Sequence, residues 1–180
     1  MNATILIPIL IAAAYLLGSI PSAVWIGKRF YGIDIREHGS KNAGATNMLR
    51  VLGAKAAAPV FIIDFLKGLA AVMLSYFAVW QLGYGVGSAQ VFNLKFALVG
   101  AAVIGHIFPV FAGFRGGKGV ATLAGAVMGV YPPAVLLCLA TFIVVLLLTR
   151  YVSLSSMTAG ITLPIYVRFV FHQTYVPLII

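Results

Sequence analysis

Residues 56–80 read AAAPVFIIDFLKGLAAVMLSYFAVW, and this apolar run carries only two charged side chains, Asp64 and Lys67. A helix that crosses a bilayer needs about 20 consecutive, mostly apolar residues, so the run is long enough for one crossing. Asp64 and Lys67 are three residues apart and therefore share one face of that helix. We expect them to form a buried ion pair that locks the packing of the helix.

Further apolar runs fill most of the remaining chain. They lie at roughly 3–26, 93–112, 120–131, 134–149 and 154–172, and a last run begins near Thr174. Of the 180 residues, 62% are hydrophobic and 8% are charged, whereas a soluble domain carries about 25% charged residues. Such a chain needs lipid as its solvent. The predicted fold class is an all-α integral membrane protein, a polytopic bundle of about seven transmembrane helices, and we expect residues 1–180 to form a single transmembrane domain.

Two features shape the C-terminal third of the chain. Residues 120–149 would be about 45 Å long as one helix, longer than the roughly 30 Å hydrocarbon core, and Pro132 and Pro133 interrupt them. We therefore predict two short helices with a turn at the prolines. The last run holds only seven residues, too few to cross a bilayer. We expect a final span that is truncated and a C-terminal end that is missing.

The net charge of +9 comes from 12 Lys and Arg against 3 Asp and Glu. Most basic residues lie between apolar runs: Lys28, Arg29, Arg36, Lys41, Arg50, Lys55, Arg115, Lys118 and Arg150. Placing these on the cytoplasmic side puts the N-terminus and the 81–92 loop outside, with Lys95 and Arg168 as exceptions. Two explanations stay open, topology with anionic lipid headgroups or an anionic substrate. Nucleic acid is not expected as a partner, because the basic residues occupy short loops.

The polar stretch 34–50 reads DIREHGSKNAGATNMLR. Glycines let backbone N–H groups approach an anion, Ser, Asn and Thr add neutral donors, and Arg36 and Arg50 can add charged contacts. The candidate binding residues are Ser40, Asn42, Gly44, Thr46, Asn47 and Arg50. The alternative is an ordinary solvated loop that caps the next helix, with Ser40 as the N-cap.

A second polar segment, residues 113–119, reads GFRGGKG and runs into an apolar helix pattern. Backbone N–H groups, the N-terminus of that helix and the ammonium of Lys118 can converge on a phosphate. The segment is not a Walker A loop, because Gly119 follows the lysine where Ser or Thr is required. The candidate residues are Arg115, Gly116, Gly117, Lys118 and Gly119. The alternative is a flexible turn that carries cytoplasmic positive charges.

His106 is an ionisable residue inside an apolar run, which makes it a functional candidate that faces the bundle interior. It precedes the second polar segment and lies toward the same membrane face. The alternative is a structural histidine bonded to a backbone carbonyl. No metal or cofactor is expected, because neither a carboxylate cage nor a Cys/His cluster is evident.

Five segments are specific when taken together. They are GSIPS at 18–22, GSKNAGATN at 39–47 with Arg50, GHIFP at 105–109, FRGGKGVAT at 114–122 and TRYVS at 149–153. Through them the chain resembles, over nearly its whole length, the bacterial membrane acyl-phosphate:glycerol-3-phosphate acyltransferases. The resemblance implies a seven-helix bundle in the bacterial inner membrane, with the N-terminus outside and the active site on the cytoplasmic face.

The resemblance also implies an activity. Such an enzyme moves a fatty acyl group from acyl phosphate to the 1-hydroxyl of glycerol 3-phosphate, giving lysophosphatidate and phosphate in phospholipid biosynthesis. Acyl phosphate, glycerol 3-phosphate and membrane lipid are the expected partners. The resemblance places Ser40 and Arg50 on essential positions and Lys118 on the phosphate of glycerol 3-phosphate. The family's third motif, a His with an Asn three residues later and then a Glu, has no match after Leu154, which agrees with the truncated span.

We expect the acceptor hydroxyl to attack the acyl carbonyl directly, since acyl phosphate already has a good leaving group. The residues expected to supply charge or orient oxygens are Arg50, Lys118, Arg115, Ser40, Asn42 and Asn47. His106 and the leaving phosphate are the candidate bases, and we favour the phosphate. Two other classes stay as alternatives, a small transporter of phosphorylated solutes and a non-catalytic membrane subunit.

Overall fold

The computed structural model describes residues 2–170, and over this range the chain is helical without strands. It divides after Val130 into two compact units, which are described separately. The first unit contains seven α-helices over residues 2–130: α1 Ala3–Gly18, α2 Ser22–Tyr31, α3 Ala45–Leu52, α4 Ala54–Met73, α5 Ser75–Leu82, α6 Ala89–Ile107 and α7 Val120–Val130. Short 3₁₀ turns lie at Ile35–Glu37 and Val110–Ala112. The expected truncated span near Thr174 lies outside the described residues.

Four stretches within residues 2–170 are long and apolar enough to cross a membrane. They are Ala3–Tyr31, Ala54–Leu82, Ala89–Ala112 and Pro132–Thr149. Helix α7 is apolar but shorter. The predicted all-α, multi-pass architecture is confirmed, while the number of spans, about seven, stays a prediction.

Helices α1 and α2 are separated by a break at residues 19–21, where the apolar pattern predicts a continuous run. Pro21 has no N–H and cannot continue the helical hydrogen bonds, so α2 begins at Ser22. The break frees the carbonyl of Ile20, which accepts a 2.7 Å hydrogen bond from Lys67 Nζ on α4. The lysine of the second span therefore stabilises the interrupted first span.

Helix pairs in the first unit approach closely through glycine. On α1 and α6, a Cβ added to Gly18 would collide with the backbone of Ala102. On α4 and α7, a Cβ added to Gly125 would collide with the carbonyl of Phe65, and one on Gly68 with that of Thr122. Small residues at helix contacts allow backbones to approach where lipid supplies little driving force for association. These contacts hold α1 against α6 and α4 against α7, on either side of the buried polar residues described below.

The second unit contains α8 Pro132–Thr149 and α9 Val152–Ile165, followed by a π-helical turn at Tyr166–Val170. Prolines suit the first turn of a helix, because N–H groups there have no helical partner. Helix α8 begins at Pro132 and α7 ends at Val130, so the predicted break at the two prolines is confirmed. Within this unit, Thr141 Oγ1 lies 2.6 Å from the Tyr166 hydroxyl.

We expect Gly125→Ala to destabilise the first unit, because the new methyl group would meet the Phe65 carbonyl across the α4–α7 contact. Overpacking of this kind costs about 1–3 kcal/mol. Gly100→Ala in α6 is the matched control, since nothing lies within 4 Å of its added carbon. Thermal unfolding in detergent should show a lower midpoint for Gly125→Ala alone. Equal midpoints for the two variants would contradict the close α4–α7 contact.

Candidate functional site

Two loops meet at one end of the first unit. The first polar loop, residues 32–44, connects α2 to α3, and the glycine loop, residues 113–119, leads into α7. Ala43 N donates to Gly116 O at 3.4 Å. The Arg36 guanidinium donates to the carbonyl oxygens of Ala112 at 2.7 Å and Arg115 at 3.5 Å. The two segments singled out by their composition therefore form one site.

Arg36 pairs with Asp34 and links the two loops. Its Nη2 lies 2.7 Å from Asp34 Oδ2 and its Nε lies 2.9 Å from Asp34 Oδ1, while Lys28 Nζ approaches Oδ2 at 3.1 Å. The hydrogen bonds from Arg36 hold the pKa of Asp34 well below its usual range, although burial opposes this effect. The same carboxylate raises the pKa of Arg36. In this structure Arg36 therefore clamps the two loops together, and its charged contact with an anion stays a prediction.

Asn47 supports the first polar loop from inside. Its Oδ1 accepts a hydrogen bond from Ser40 N at 2.9 Å, and its Nδ2 donates to the carbonyls of Ile35 at 3.1 Å and His38 at 3.0 Å. The side chain is 1% exposed. In this structure Asn47 shapes the loop, and its predicted contact with substrate stays a prediction.

The glycine loop rests on the C-terminal end of α6. Gly116 N donates to Ile107 O at 3.1 Å, and Gly117 N donates to His106 O at 3.2 Å. A Cβ on Gly116 would collide with His106 O, and one on Gly117 with His106 Nε2. Close packing on α6 therefore explains these glycines, and their two N–H groups are already bonded to carbonyls of that helix. Their predicted role in substrate binding remains untested.

The remaining candidate residues present a cationic surface. Ser40, Thr46, Arg50, Arg115 and Lys118 are exposed, Asn42 and Gly116 are partly buried, and Gly44, Gly117 and Gly119 are buried. Within residues 2–170, the side chains of Arg50, Arg115 and Lys118 form no ion pair or hydrogen bond. Gly119 has a φ of 78° and turns the chain into α7, whose N-terminus also favours an anion. Helix α3 begins at Ala45, so Ser40 is not its N-cap.

A buried polar cluster lies beneath the two loops. Asp64 Oδ1 accepts hydrogen bonds from Ser22 Oγ at 2.7 Å and Lys67 Nζ at 2.8 Å, which confirms the predicted ion pair. His106 Nδ1 is 3.6 Å from the same oxygen and 3.1 Å from Thr122 Oγ1. The position of His106 in the bundle interior is as predicted, with 6% of its surface exposed. The cluster joins the α1–α2 break, α4, α6 and α7.

The cluster borders a small cavity that reaches the two loops. Its lining includes Ile20, Pro21, Ala43, Pro109, Gly116 and Gly117. About 10 Å³ of free volume remains in it, which accommodates roughly one water molecule. A phosphorylated glycerol is much larger and does not fit there. The exposed side of the loops is therefore the surface available to such a ligand, and the cluster supports that surface from below.

Three side-chain contacts in the site were not predicted from the sequence. Ser22 falls within the GSIPS segment, but nothing local shows that its hydroxyl reaches Asp64. Thr122 falls within the FRGGKGVAT segment, and its contact with His106 depends on the packing of α6 and α7. The ion pair between Asp34 and Arg36 could have been predicted, because an acidic residue two positions before an arginine is close enough to pair with it.

The helices and their loops define a class of protein, an α-helical membrane protein with a cationic site where two loops meet. A family model described as glycerol-3-phosphate acyltransferase matches residues 8–180. The chain belongs to the glycerol-3-phosphate acyltransferase family.

Relatives named glycerol-3-phosphate acyltransferase share much of the sequence. The protein of Listeria monocytogenes serovar 1/2a is 50% identical over 159 residues, which cover 88% of this chain and 76% of that protein. The protein of Streptococcus equi subsp. zooepidemicus is 46% identical over 153 residues, covering 85% of this chain and 66% of that protein. The chain thus spans about two thirds to three quarters of the length of these curated relatives.

Solved structures of PlsY (YgiH), described as an integral membrane glycerol 3-phosphate acyltransferase, have a similar fold. Its glycerol 3-phosphate form matches with a TM-score of 0.78 and 42% identity, covering 89% of this chain and 76% of that one. Its lysophosphatidic acid form matches with a TM-score of 0.73 and 40% identity, covering 89% and 75%.

We expect Asp34→Asn to loosen the clamp between the loops, at a cost of about 1–3 kcal/mol in unfolding free energy. Because the folded-state pKa of Asp34 is lowered, its contribution is complete above the unfolded-state value near pH 4 and is lost as the pH falls through the folded-state value. Thermal unfolding in detergent should show a constant difference from wild type between pH 5 and 7 that shrinks in stronger acid. Glu37→Gln, which removes an exposed carboxylate near Arg36, is the control and should shift the midpoint much less. An unchanged thermal midpoint for Asp34→Asn would contradict a stabilising role for the clamp.

Proposed function

We propose that this chain is an acyltransferase that moves a fatty acyl group from acyl phosphate to the 1-hydroxyl of glycerol 3-phosphate. The products are lysophosphatidate and inorganic phosphate, and the reaction belongs to phospholipid biosynthesis. The observation that carries the proposal is the meeting of the two loops, which brings Arg115 and Lys118 beside the first polar loop. Arg50 lies on α3, the helix that follows this loop, and none of the three cations has a carboxylate partner among the described residues. Two anionic phosphates repel each other, and such a surface offsets that repulsion.

The comparisons support the acceptor in this proposal. PlsY was solved in a glycerol 3-phosphate form and a lysophosphatidic acid form. Lysophosphatidic acid is glycerol 3-phosphate carrying one acyl group, so the two forms of that protein hold an acceptor and its acylated product. The acyl-phosphate donor rests on the resemblance in the five sequence segments.

The mechanism we propose is direct transfer without an acyl-enzyme. The 1-hydroxyl oxygen attacks the acyl carbonyl carbon, an ester bond forms, and the bond between that carbon and the phosphate oxygen breaks. Arg50 and Lys118 hold the phosphates, with Arg115 adding charge, while Ser40 and Asn42 orient oxygens. Fixing both substrates in this way converts a bimolecular encounter into a reaction within one complex.

The leaving phosphate is the base that we propose for the hydroxyl proton. Its ionised oxygens lie next to the attacked carbon in any productive arrangement. His106 was the other candidate, but its Nδ1 faces Asp64 and Thr122 and its ring lies beneath the glycine loop. The proton is thus passed to the departing phosphate, and the charges balance without a protein base.

The proposed setting is the bacterial inner membrane with both loops on the cytoplasmic side. The basic residues of these loops support this orientation by the positive-inside tendency. Membrane lipid surrounds the spans, and the reaction as written needs no cofactor. The proposal treats the chain as one transmembrane acyltransferase domain.

The decisive experiment uses the purified chain in detergent with labelled glycerol 3-phosphate and either palmitoyl phosphate or palmitoyl-CoA. We expect lysophosphatidate from palmitoyl phosphate alone. Product from palmitoyl-CoA alone would overturn the proposed donor, and no product from either would overturn the proposed reaction. Because detergent leaves no compartments, product formation also excludes transport of phosphorylated solutes as the whole function.

We expect Lys118→Ala to lower kcat/KM for glycerol 3-phosphate by about 10- to 100-fold, since a charge-assisted hydrogen bond contributes roughly 1.5–3 kcal/mol. Lys55→Ala, an exposed lysine at the start of α4, is the matched control and should keep the wild-type value. Steady-state rates at varied acceptor concentration measure both. An unchanged kcat/KM for Lys118→Ala would contradict a role of this lysine in binding glycerol 3-phosphate.

A further inference from the structure

Asp64 makes more contacts than an ion pair within one helix requires. It is 1% exposed, and its Oδ1 already pairs with Lys67 Nζ on the same helix. The same oxygen also accepts a hydrogen bond from Ser22 Oγ on α2 and faces His106 Nδ1 on α6. A buried carboxylate is stable only with such donors around it. Asp64 therefore ties α2 and α6 to α4 at a single atom.

His106 is the partner that connects Asp64 to the site. Its Nδ1 faces Asp64 Oδ1 at 3.6 Å and Thr122 Oγ1 at 3.1 Å, and these contacts orient the ring with Nε2 on the opposite side. On that side, a Cβ at Gly117 would collide with Nε2 and lie 2.6 Å from Ala43 O. The ring thus fills the space where the first polar loop and the glycine loop meet.

The backbone of His106 also holds the glycine loop. Its carbonyl accepts the Gly117 N–H at 3.2 Å, one residue before Lys118. A shift of the His106 ring or backbone would therefore move Lys118. The cavity beside the cluster is too small for a phosphorylated glycerol, so Asp64 and His106 act on the loop and not on the ligand itself.

We propose that Asp64 is a positioning residue, which through His106 sets the glycine loop so that the Lys118 ammonium meets the phosphate of glycerol 3-phosphate. This inference rests on the proposed function, because that function supplies the ligand. It assigns the buried ion pair a role beyond stability. Lys67 neutralises the carboxylate and caps the Ile20 carbonyl, and of the two charged residues it is Asp64 that faces His106.

The test is the affinity for glycerol 3-phosphate, measured by calorimetry in detergent, in the charge-neutral double variant Asp64→Asn/Lys67→Met. Removing both charges avoids an unpaired buried ion, and because Lys67→Met also removes the hydrogen bond to the Ile20 carbonyl, the thermal midpoint should fall modestly while the chain stays folded. We expect Kd to rise about tenfold or more, because displacement of a binding group by about 1 Å is costly. Lys95→Met, which removes a lysine bonded to Gly129 O elsewhere in the first unit, is the matched control and should keep the wild-type Kd.

A second arm separates positioning from general damage. In a Lys118→Ala background, the same double substitution should change Kd less than about twofold, because the group through which Asp64 acts is gone. An unchanged Kd in the double variant, or a full tenfold loss in the Lys118→Ala background, would overturn the proposal. Thr122→Val, an isosteric change beside His106 Nδ1, should also weaken binding. This variant is the alternative test if the double variant does not fold. Wild-type affinity in Thr122→Val would then overturn the proposal.

The calorimetric readout distinguishes this inference from the proposed function. A wild-type chain that binds glycerol 3-phosphate but forms no lysophosphatidate contradicts the proposed reaction alone. A wild-type chain that does not bind glycerol 3-phosphate contradicts both. Binding and turnover with no effect of the Asp64 variants contradict only the positioning role.

Discussion

The contact of the glycine loop with the end of α6 is the constraint on which the site depends. A helix end leaves carbonyl groups without partners, and those of His106 and Ile107 are satisfied by Gly117 and Gly116. The same loop is hydrogen-bonded to the first polar loop at Ala43, so the contact with α6 positions both loops. Arg115 and Lys118 flank the two bonded glycines, so these cations are carried by fixed backbone. Such fixed donors stabilise charge without having to reorganise when the ligand arrives.

Local pattern predicts a large part of this arrangement. Apolar length predicts the helices, Pro132 and Pro133 predict a boundary, and the three-residue spacing of Asp64 and Lys67 predicts their pair. Each of these depends on neighbours in the chain. The break before Ser22 was not predicted, because Pro21 lies inside a run whose apolar character is continuous.

The roles of individual side chains within the site follow less directly from composition. A glycine beside a lysine is compatible with phosphate binding and with close packing, and only the collision of an added Cβ with His106 separates the two. Arg36 and Arg50 were both candidates for an anion contact, yet Arg36 has a carboxylate two residues away and Arg50 has none, so only Arg36 is paired. Asp64 and His106 lie on separate helices. Their contact could not be predicted, because residue spacing within one helix does not determine the distance between two helices.

The location of Asp64 and Lys67 on one helix also bears on how the chain enters the membrane. A single charge near the centre of an inserting helix costs about 2.5–3.5 kcal/mol. Here each charge carries its counter-charge three residues away, so α4 presents a neutral pair before any later helix is synthesised. Ser22 precedes this helix in the chain and His106 follows it. Insertion of α4 therefore does not have to wait for α6, and the histidine joins a pair that is already in the bilayer.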